Sequence, residues 1–329
     1  MRALLIRPVE GTMTAELADV PASDLPDGDV LIDVSHSSLN YKDGLAVTGR
    51  GKIVRGDFPF VPGIDLAGTV ASSESERWAA GDRVVLTGWG TGENRWGGYA
   101  EQARASAEHL VALPESLSAE DAMWIGTAGF TAMLSVLALE DHGVEPGRGP
   151  VVVTGASGGV GSVATALLAD LGHEVHAATG SGSAHGYLRR LGAAEIVERA
   201  ELAGGPEAPM TRGVWAGAVD SVGGTTLASV LAACRRHATV AACGLAGGAE
   251  LETTVFPFIL RGVTLAGIDS NTAPGPLRQR AWDRLADAVS RGVLEPVERT
   301  VIGLADVPDW SRRIVDGQTT GRVVVDVRA

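Results

Sequence analysis

The chain has 329 residues, 45% of them hydrophobic, which is enough for a large core and for two domains of ordinary size. Its formal net charge of −13 opposes binding to nucleic acid and to anionic membranes, because both repel an acidic surface. With only Cys234 and Cys243, no disulfide framework is implied, and a reducing cytoplasm is the expected location. The opening segment 1–6 is too short for a signal peptide and reads as a first strand. Residues 30–34 follow the turn Pro26-Asp27-Gly28-Asp29 and read as another, as do 66–70 and 84–86. Up to about Ser118 the texture is short strands between glycine and proline turns, which predicts an irregular, barrel-like β domain. No stretch reads as apolar and long enough to span a bilayer.

From about Ala119 helices alternate with strands. A helix is predicted over 130–139, and strands over 151–153, 174–178, 195–197, 217–220, 238–242 and 263–267. Six strands separated by helices predict an α/β fold with a doubly wound parallel sheet. A helix over 276–291 and a closing strand over 322–327 follow, the strand returning to the first domain. The expected division is residues 1–122 with 268–329 in the β-rich domain, and 123–267 in the dinucleotide-binding domain.

Gly155-Ala156-Ser157-Gly158-Gly159-Val160-Gly161 follows the apolar run 151–153 and opens the helical stretch 162–171. Strand, glycine loop and helix form a dinucleotide-binding turn. Glycines let the backbone approach a pyrophosphate, and the helix start offers free N–H groups and positive dipole. Ser157, Gly158, Gly159 and Val160 are the expected contacts. An NAD enzyme usually places a carboxylate after the second strand to bond the ribose 2′-OH. Here that place reads Ala178-Thr179-Gly180-Ser181-Gly182-Ser183. With hydroxyls and no carboxylate, Thr179, Gly180 and Ser181 favour the 2′-phosphate of NADPH. Neither the two cysteines nor the seven scattered histidines show metal-ligand spacing.

Ordered motifs run through the whole chain. They include Ser37-Ser38-Leu39-Asn40-Tyr41-Lys42-Asp43, Pro62-Gly63-Ile64-Asp65-Leu66-Ala67-Gly68 and Leu86-Thr87-Gly88-Trp89-Gly90. Trp96-Gly97-Gly98, Gly126-Thr127-Ala128-Gly129-Phe130-Thr131-Ala132 and the glycine loop follow. Ala242-Cys243-Gly244-Leu245-Ala246-Gly247-Gly248, Pro257-Phe258-Ile259-Leu260-Arg261 and Gly267-Ile268-Asp269-Ser270 complete the set. On these motifs the chain resembles the medium-chain dehydrogenase/reductase superfamily, and within it the zinc-free, quinone-oxidoreductase-like acrylyl-CoA reductase family. The resemblance implies a GroES-like β-rich catalytic domain beside a Rossmann domain.

It also implies roles for particular residues. Where zinc-dependent relatives carry Gly-His-Glu, this chain has Gly63-Ile64-Asp65, so no metal is expected. Relatives commonly show Ser-Gly-Arg at 179–181. The arginine is absent here, and Arg199 is the expected compensating partner of the phosphate, with Arg189 a weaker candidate. Leu245, Ile259 and Ser270 are implied contacts at the nicotinamide end. Asp316 stands where relatives carry Asn, which weakens it as a cofactor contact. Tyr41 and Asn40 are the implied catalytic residues. Tyr41 would donate to a developing enolate, although a phenol of pKa about 10 is a poor acid unless Lys42 or the site lowers it, and water is a rival proton donor. Asn40 would fix substrate or ribose, or else cap a turn. Asp43 reads as a loop-holding residue.

The implied reaction is NADPH-dependent reduction of the C=C bond of a 2-enoyl thioester, with acryloyl-CoA the implied substrate. Arg95, with Lys52 and Arg55, is a candidate for the coenzyme A phosphates, and Trp89 a candidate pocket wall. A homodimer formed at the sixth strand is expected. The alternatives are a quinone or general enone reductase, and a nucleotide-sensing protein without catalysis.

Overall fold

A computed structural model describes residues 1–329. The chain begins with strands β1 (Arg2–Val9), β2 (Thr12–Asp19) and β3 (Val30–Leu39), then helix α1 (Tyr41–Thr48). Strands β4 (Asp65–Ser73), β5 (Arg83–Thr87), β6 (Gln102–Ala105) and β7 (Val111–Ala112) lead to the long α2 (Ala119–Asp141). The alternating part is β8 (Val151–Thr154), α3 (Gly159–Asp170), β9 (Val175–Thr179), α4 (His185–Arg190), β10 (Glu195–Glu198) and α5 (Arg199–Ala203). It continues through β11 (Trp215–Asp220), α6 (Gly224–Ala232), β12 (Cys234–Ala242), α7 (Phe256–Arg261) and β13 (Thr264–Gly267). The last elements are α8 (Gly275–Ser290), β14 (Arg299–Gly303), α9 (Val307–Val315) and β15 (Arg322–Asp326).

Two compact units result. The first holds Met1–Thr127, Ser270–Gly275 and Arg299–Ala329. The second holds Ala128–Asp269 and Pro276–Glu298. In the first, the sheet runs β14-β15-β3-β4-β5-β7, and β1-β2 form a separate hairpin. β3 is its hub. One edge carries β4, while the other is shared, with β6 on residues 30–33 and β15 on residues 36–39. Val30, Ile32 and Val34 alternate into a core with Leu4, Ile6, Phe60 and Leu66, as a two-residue period requires. From Ser37 to Leu39 both faces of β3 are buried. The hairpin partner β2 was not anticipated, because its TMTAELAD sequence has too little apolar alternation to announce a strand.

The second unit is the expected six-stranded sheet, ordered β10-β9-β8-β11-β12-β13 and parallel throughout. That is the 3-2-1-4-5-6 order of a doubly wound dinucleotide fold. β8 and β11 are buried along their whole length, which is why they read as continuous apolar runs.

Two expectations need correction. The helix assigned with the tail to the first domain, α8, clusters with the second unit. Its Trp282 is fully buried and stacks on Phe130 at 6.2 Å, while Arg284 pairs with Glu140 and Arg291 with Asp170. Second, α2 is long and apolar enough to cross a membrane by length and composition, although no such stretch was read in the sequence. Gly, Ala, Thr and Ser between its larger apolar residues disguise it. Because 89% of its apolar window is buried in the fold, it is a core helix.

Candidate functional site

The glycine loop forms as its spacing predicts. Gly155 takes a positive φ of 60°, Gly158 caps α3, and the Gly158 N–H closes the turn onto the Gly155 carbonyl at 3.0 Å. A Cβ on Gly161 would lie 2.3 Å from the Gly155 oxygen, so any side chain there would force helix and loop apart. The first N–H groups of α3 have no intrahelical partner, and its first turn carries no acidic residue. The N–H groups of Gly159 and Val160 and the Ser157 hydroxyl, on a turn shaped by Gly158, thus make a cradle of donors that fits a pyrophosphate.

Thr179, Gly180 and Ser181 lie beside this cradle. The Ser157 and Thr179 hydroxyls are 3.3 Å apart, and the Ser181 N–H donates to Thr179 Oγ1 at 3.1 Å. Arg199, the first residue of α5, lays its guanidinium over Gly180. A Cβ at 180 would meet its Cζ and Nε at 2.5 Å. No carboxylate lies within ion-pair distance of Arg199. Arg189 is committed elsewhere, donating to the carbonyls of Ala193 and Ala194. Glu198, the partner of Thr179 on the next strand, faces His185 at 3.4 Å, and Arg199 with the hydroxyls of Thr179 and Ser181 forms a donor set that fits a phosphate monoester.

Leu245 and Ile259 are 64% and 67% exposed, high for aliphatic side chains, as an apolar ligand surface would require. Leu245 follows Gly244 just beyond β12, where a Cβ on Gly244 would lie 2.3 Å from the Ser221 oxygen.

In the first unit, Asn40 caps α1 and Tyr41 opens it. The Asp43 carboxylate accepts from the Asn40 N–H at 2.9 Å and from the Ile64 N–H at 2.9 Å, and Gly49 ends the helix in a left-handed turn. The Asn40 amide is fully engaged. Its nitrogen donates to Ser38 (2.9 Å), Asp65 (2.9 Å) and Asp43 (3.1 Å), and its oxygen accepts from Arg322 at 3.2 Å. These bonds fix Asn40 at the start of α1. Tyr41 is 42% exposed, so its ring is available. Lys42 pairs with Glu93 at 2.8 Å.

Beneath α1 lies a buried polar network. Asp65 accepts from Ser38, Asn40 and both the N–H and hydroxyl of Thr127, and Arg322 donates to the Trp124 carbonyl at 2.9 Å. Burial pushes the Asp43 carboxyl up to about 7, helped by the Asp65 charge and opposed by the hydrogen bonds from Asn40 and Ile64. Burial raises Tyr99 and lowers Arg322 as well.

This is the place where zinc-dependent relatives carry Gly-His-Glu, and the donor set does not fit a metal ion. Nowhere do three His, Cys, Asp or Glu side chains converge, and Arg322 already brings a positive charge to Asp65.

The remaining expected residues scatter within the first unit. Trp89 stacks on His109 at 4.7 Å and packs on the β core, and its backbone N–H donates to the Asn271 carbonyl next to Ser270 at 2.9 Å. Arg95 is exposed in the following loop, with no carboxylate within ion-pair distance. Asp316, the expected cofactor contact, pairs with Arg50. Sequence reasoning missed Arg322, Thr127 and the structural part of Asp65. The one available signal was the paired change of Gly-His-Glu to Gly-Ile-Asp.

Comparison with known proteins agrees with this architecture. The alcohol dehydrogenase GroES-like domain family matches residues 26–115, and the zinc-binding dehydrogenase family matches residues 159–290. The chain is 52% identical to the probable acrylyl-CoA reductase AcuI of Escherichia coli, covering 99% of this chain and 100% of the relative. It is 53% identical to acrylyl-CoA reductase AcuI of Ruegeria pomeroyi, over 97% and 96%. It is 43% identical to the putative quinone oxidoreductase YhfP of Bacillus subtilis, over 95% and 94%. Among solved structures, the YhdH oxidoreductase of Salmonella enterica in complex with NADP superposes with a TM-score of 0.96 at 52% identity, covering 99% of each chain. YhfP with NAD bound superposes with a TM-score of 0.94 at 42% identity, covering 99% of this chain and 98% of that one. The chain belongs to the quinone-oxidoreductase-like, acrylyl-CoA reductase family of medium-chain dehydrogenases/reductases.

Proposed function

We propose that this protein reduces the C=C bond of a 2-enoyl thioester with NADPH, converting acryloyl-CoA to propionyl-CoA. The observation that carries the reading is similarity from end to end to two proteins named acrylyl-CoA reductase. The cofactor assignment has separate support in the Arg199 guanidinium over Gly180, in a turn whose own residues 178–183 carry no carboxylate. In this reading Ser157, Gly158, Gly159 and Val160 hold the pyrophosphate, and Thr179, Gly180, Ser181 and Arg199 hold the 2′-phosphate. Leu245, Ile259 and Ser270 line the nicotinamide end. When bound, the dihydronicotinamide supplies a hydride to the β-carbon of the enoyl group. Tyr41, exposed on the first turn of α1, donates a hydrogen bond to the thioester oxygen as charge builds there. Asn40 and Asp43 keep that turn in place. The α-carbon takes its proton from the Tyr41 hydroxyl or from water. Arg95, exposed and without an ion-pair partner, meets a coenzyme A phosphate, and Trp89 walls the pocket. A cytoplasmic homodimer joined at the open edge of β13 belongs to the same reading.

YhfP supports a second reading, in which the same site reduces quinones. Chelator-treated protein would be given NADPH with acryloyl-CoA and, in parallel, with a simple quinone. Chelator-insensitive formation of propionyl-CoA, seen by mass, with slower quinone turnover is expected. Rapid quinone turnover without propionyl-CoA would overturn the thioester assignment in favour of the second reading.

A further inference from the structure

Thr154 closes β8 and Asp220 closes β11, the two strands at which the strand order reverses. In a doubly wound sheet a dinucleotide crosses at this point, with one mononucleotide half on each side. The backbone ladder between the two strands ends at the pair Val153–Val219, one residue short of the sheet's edge. Side chains take over where it stops. Thr154 Oγ1 donates to Asp220 Oδ1 at 2.6 Å, the Ser221 N–H donates back to Thr154 Oγ1 at 3.2 Å, and Ser221 Oγ donates to the Thr154 carbonyl at 3.0 Å.

The same aspartate reaches further. Its Oδ2 accepts from the Gly223 N–H at 2.8 Å, and its backbone carbonyl accepts from the Cys243 N–H at 2.8 Å. It thereby fixes the turn after β11 and the end of β12, from which Gly244 and Leu245 follow. The packing is as tight as the bonding: a Cβ on Gly155 would lie 2.6 Å from Ser221 Oγ. Thr154 and Asp220 are 1% and 0% exposed. A carboxylate buried without a cation is a costly way to add stability alone.

We propose that Thr154 and Asp220 form a positioning latch that fixes the span between the two halves of the dinucleotide site. The glycine loop that begins at 155 and the segment that begins at 244 are then presented at one set separation. The two residues are positioning residues that act through those loops. The proposal rests on the NADPH reading above. A ligand with two linked halves gains from the second half only if both subsites match its span, whereas a single half is indifferent to that span.

The test compares dissociation constants for NADPH and for adenosine 2′,5′-bisphosphate, which carries only the adenosine half, by fluorescence and calorimetry. Thr154→Val is expected to weaken NADPH by about tenfold, the scale of one lost hydrogen bond to a charged group, and the half-ligand by less than about twofold. Thr154→Ser keeps the hydroxyl and is expected to restore NADPH binding. Equal weakening of both ligands, or unchanged NADPH binding, would overturn the latch while leaving the cofactor reading intact. Wild-type protein that binds neither ligand would overturn that reading and the latch with it. Should Thr154→Val fail to fold, Ser221→Ala removes only the bond to the Thr154 carbonyl. A smaller split in the same direction supports the latch, and no split overturns it.

Discussion

At position 180 the absence of a side chain is a matter of charge placement. With no Cβ in the way, the Arg199 guanidinium rests directly on the turn that ends β9, where the second ribose substituent of a bound dinucleotide would lie. Arg199→Ala should therefore weaken NADPH by roughly tenfold to a hundredfold, the worth of a charge-assisted phosphate contact, and leave NADH within about twofold. Titrating both nucleotides against the variant checks this, and an equal loss for both would show that Arg199 does not read the phosphate. Thr179, Gly180 and Ser181 were legible in the sequence because a strand end and a glycine loop fix their place. Arg199 could be named only through resemblance, since nothing local links residue 199 to residue 180. The Asn40–Arg322 bond joins positions 282 apart, and no periodicity carries that information.

At the scale of elements, α2 holds the least expected geometry. Gly126 (φ 51°, ψ −164°) breaks the helix, freeing the Trp124 carbonyl on one side and the Thr127 N–H on the other. Arg322 takes the carbonyl and Asp65 the N–H, so two buried side chains of opposite charge cap the two ends of the break. A Cβ at 126 would meet Arg322 Nη2 at 2.5 Å and Asp65 Oδ2 at 2.8 Å. Gly126→Ala should cost roughly 2–5 kcal/mol, combining backbone strain with overpacking. Gly317→Ala, at φ 69° with open space around it, should cost only about 1 kcal/mol. Urea unfolding compares the two, and equal losses would refute the steric part of the argument. The strands of the second unit were legible because apolar runs between glycine turns announce them. α8 was placed wrongly because its attachment depends on Trp282 meeting Phe130 and on arginines meeting Glu140 and Asp170, pairings that exist only after folding.

For the molecule as a whole, a buried carboxyl leaves a mark on stability. Asp43 sits at about 7 in the fold against 3.8 when free, so the native state holds its proton more tightly than the unfolded chain does. Its contribution is therefore full below pH 4, falls as pH rises, and is gone above about 7. Asp43→Asn should lower stability overall yet flatten the decline between pH 5 and pH 8, relative to wild type, in thermal unfolding. An unchanged slope would show that Asp43 titrates normally.

The placing of β15 beside β3 also bears on how the protein is made. The ribosome completes β3, β4, β5 and β6 long before it emits residues 322–326. Until then the 36–39 edge of β3 stands open, and Asp65 has no counter-charge. The second unit's six strands are all available earlier, so it can settle first while the N-terminal strands wait as an unpaired edge. A nascent or truncated chain lacking its last dozen residues would carry that edge as its site of misassociation.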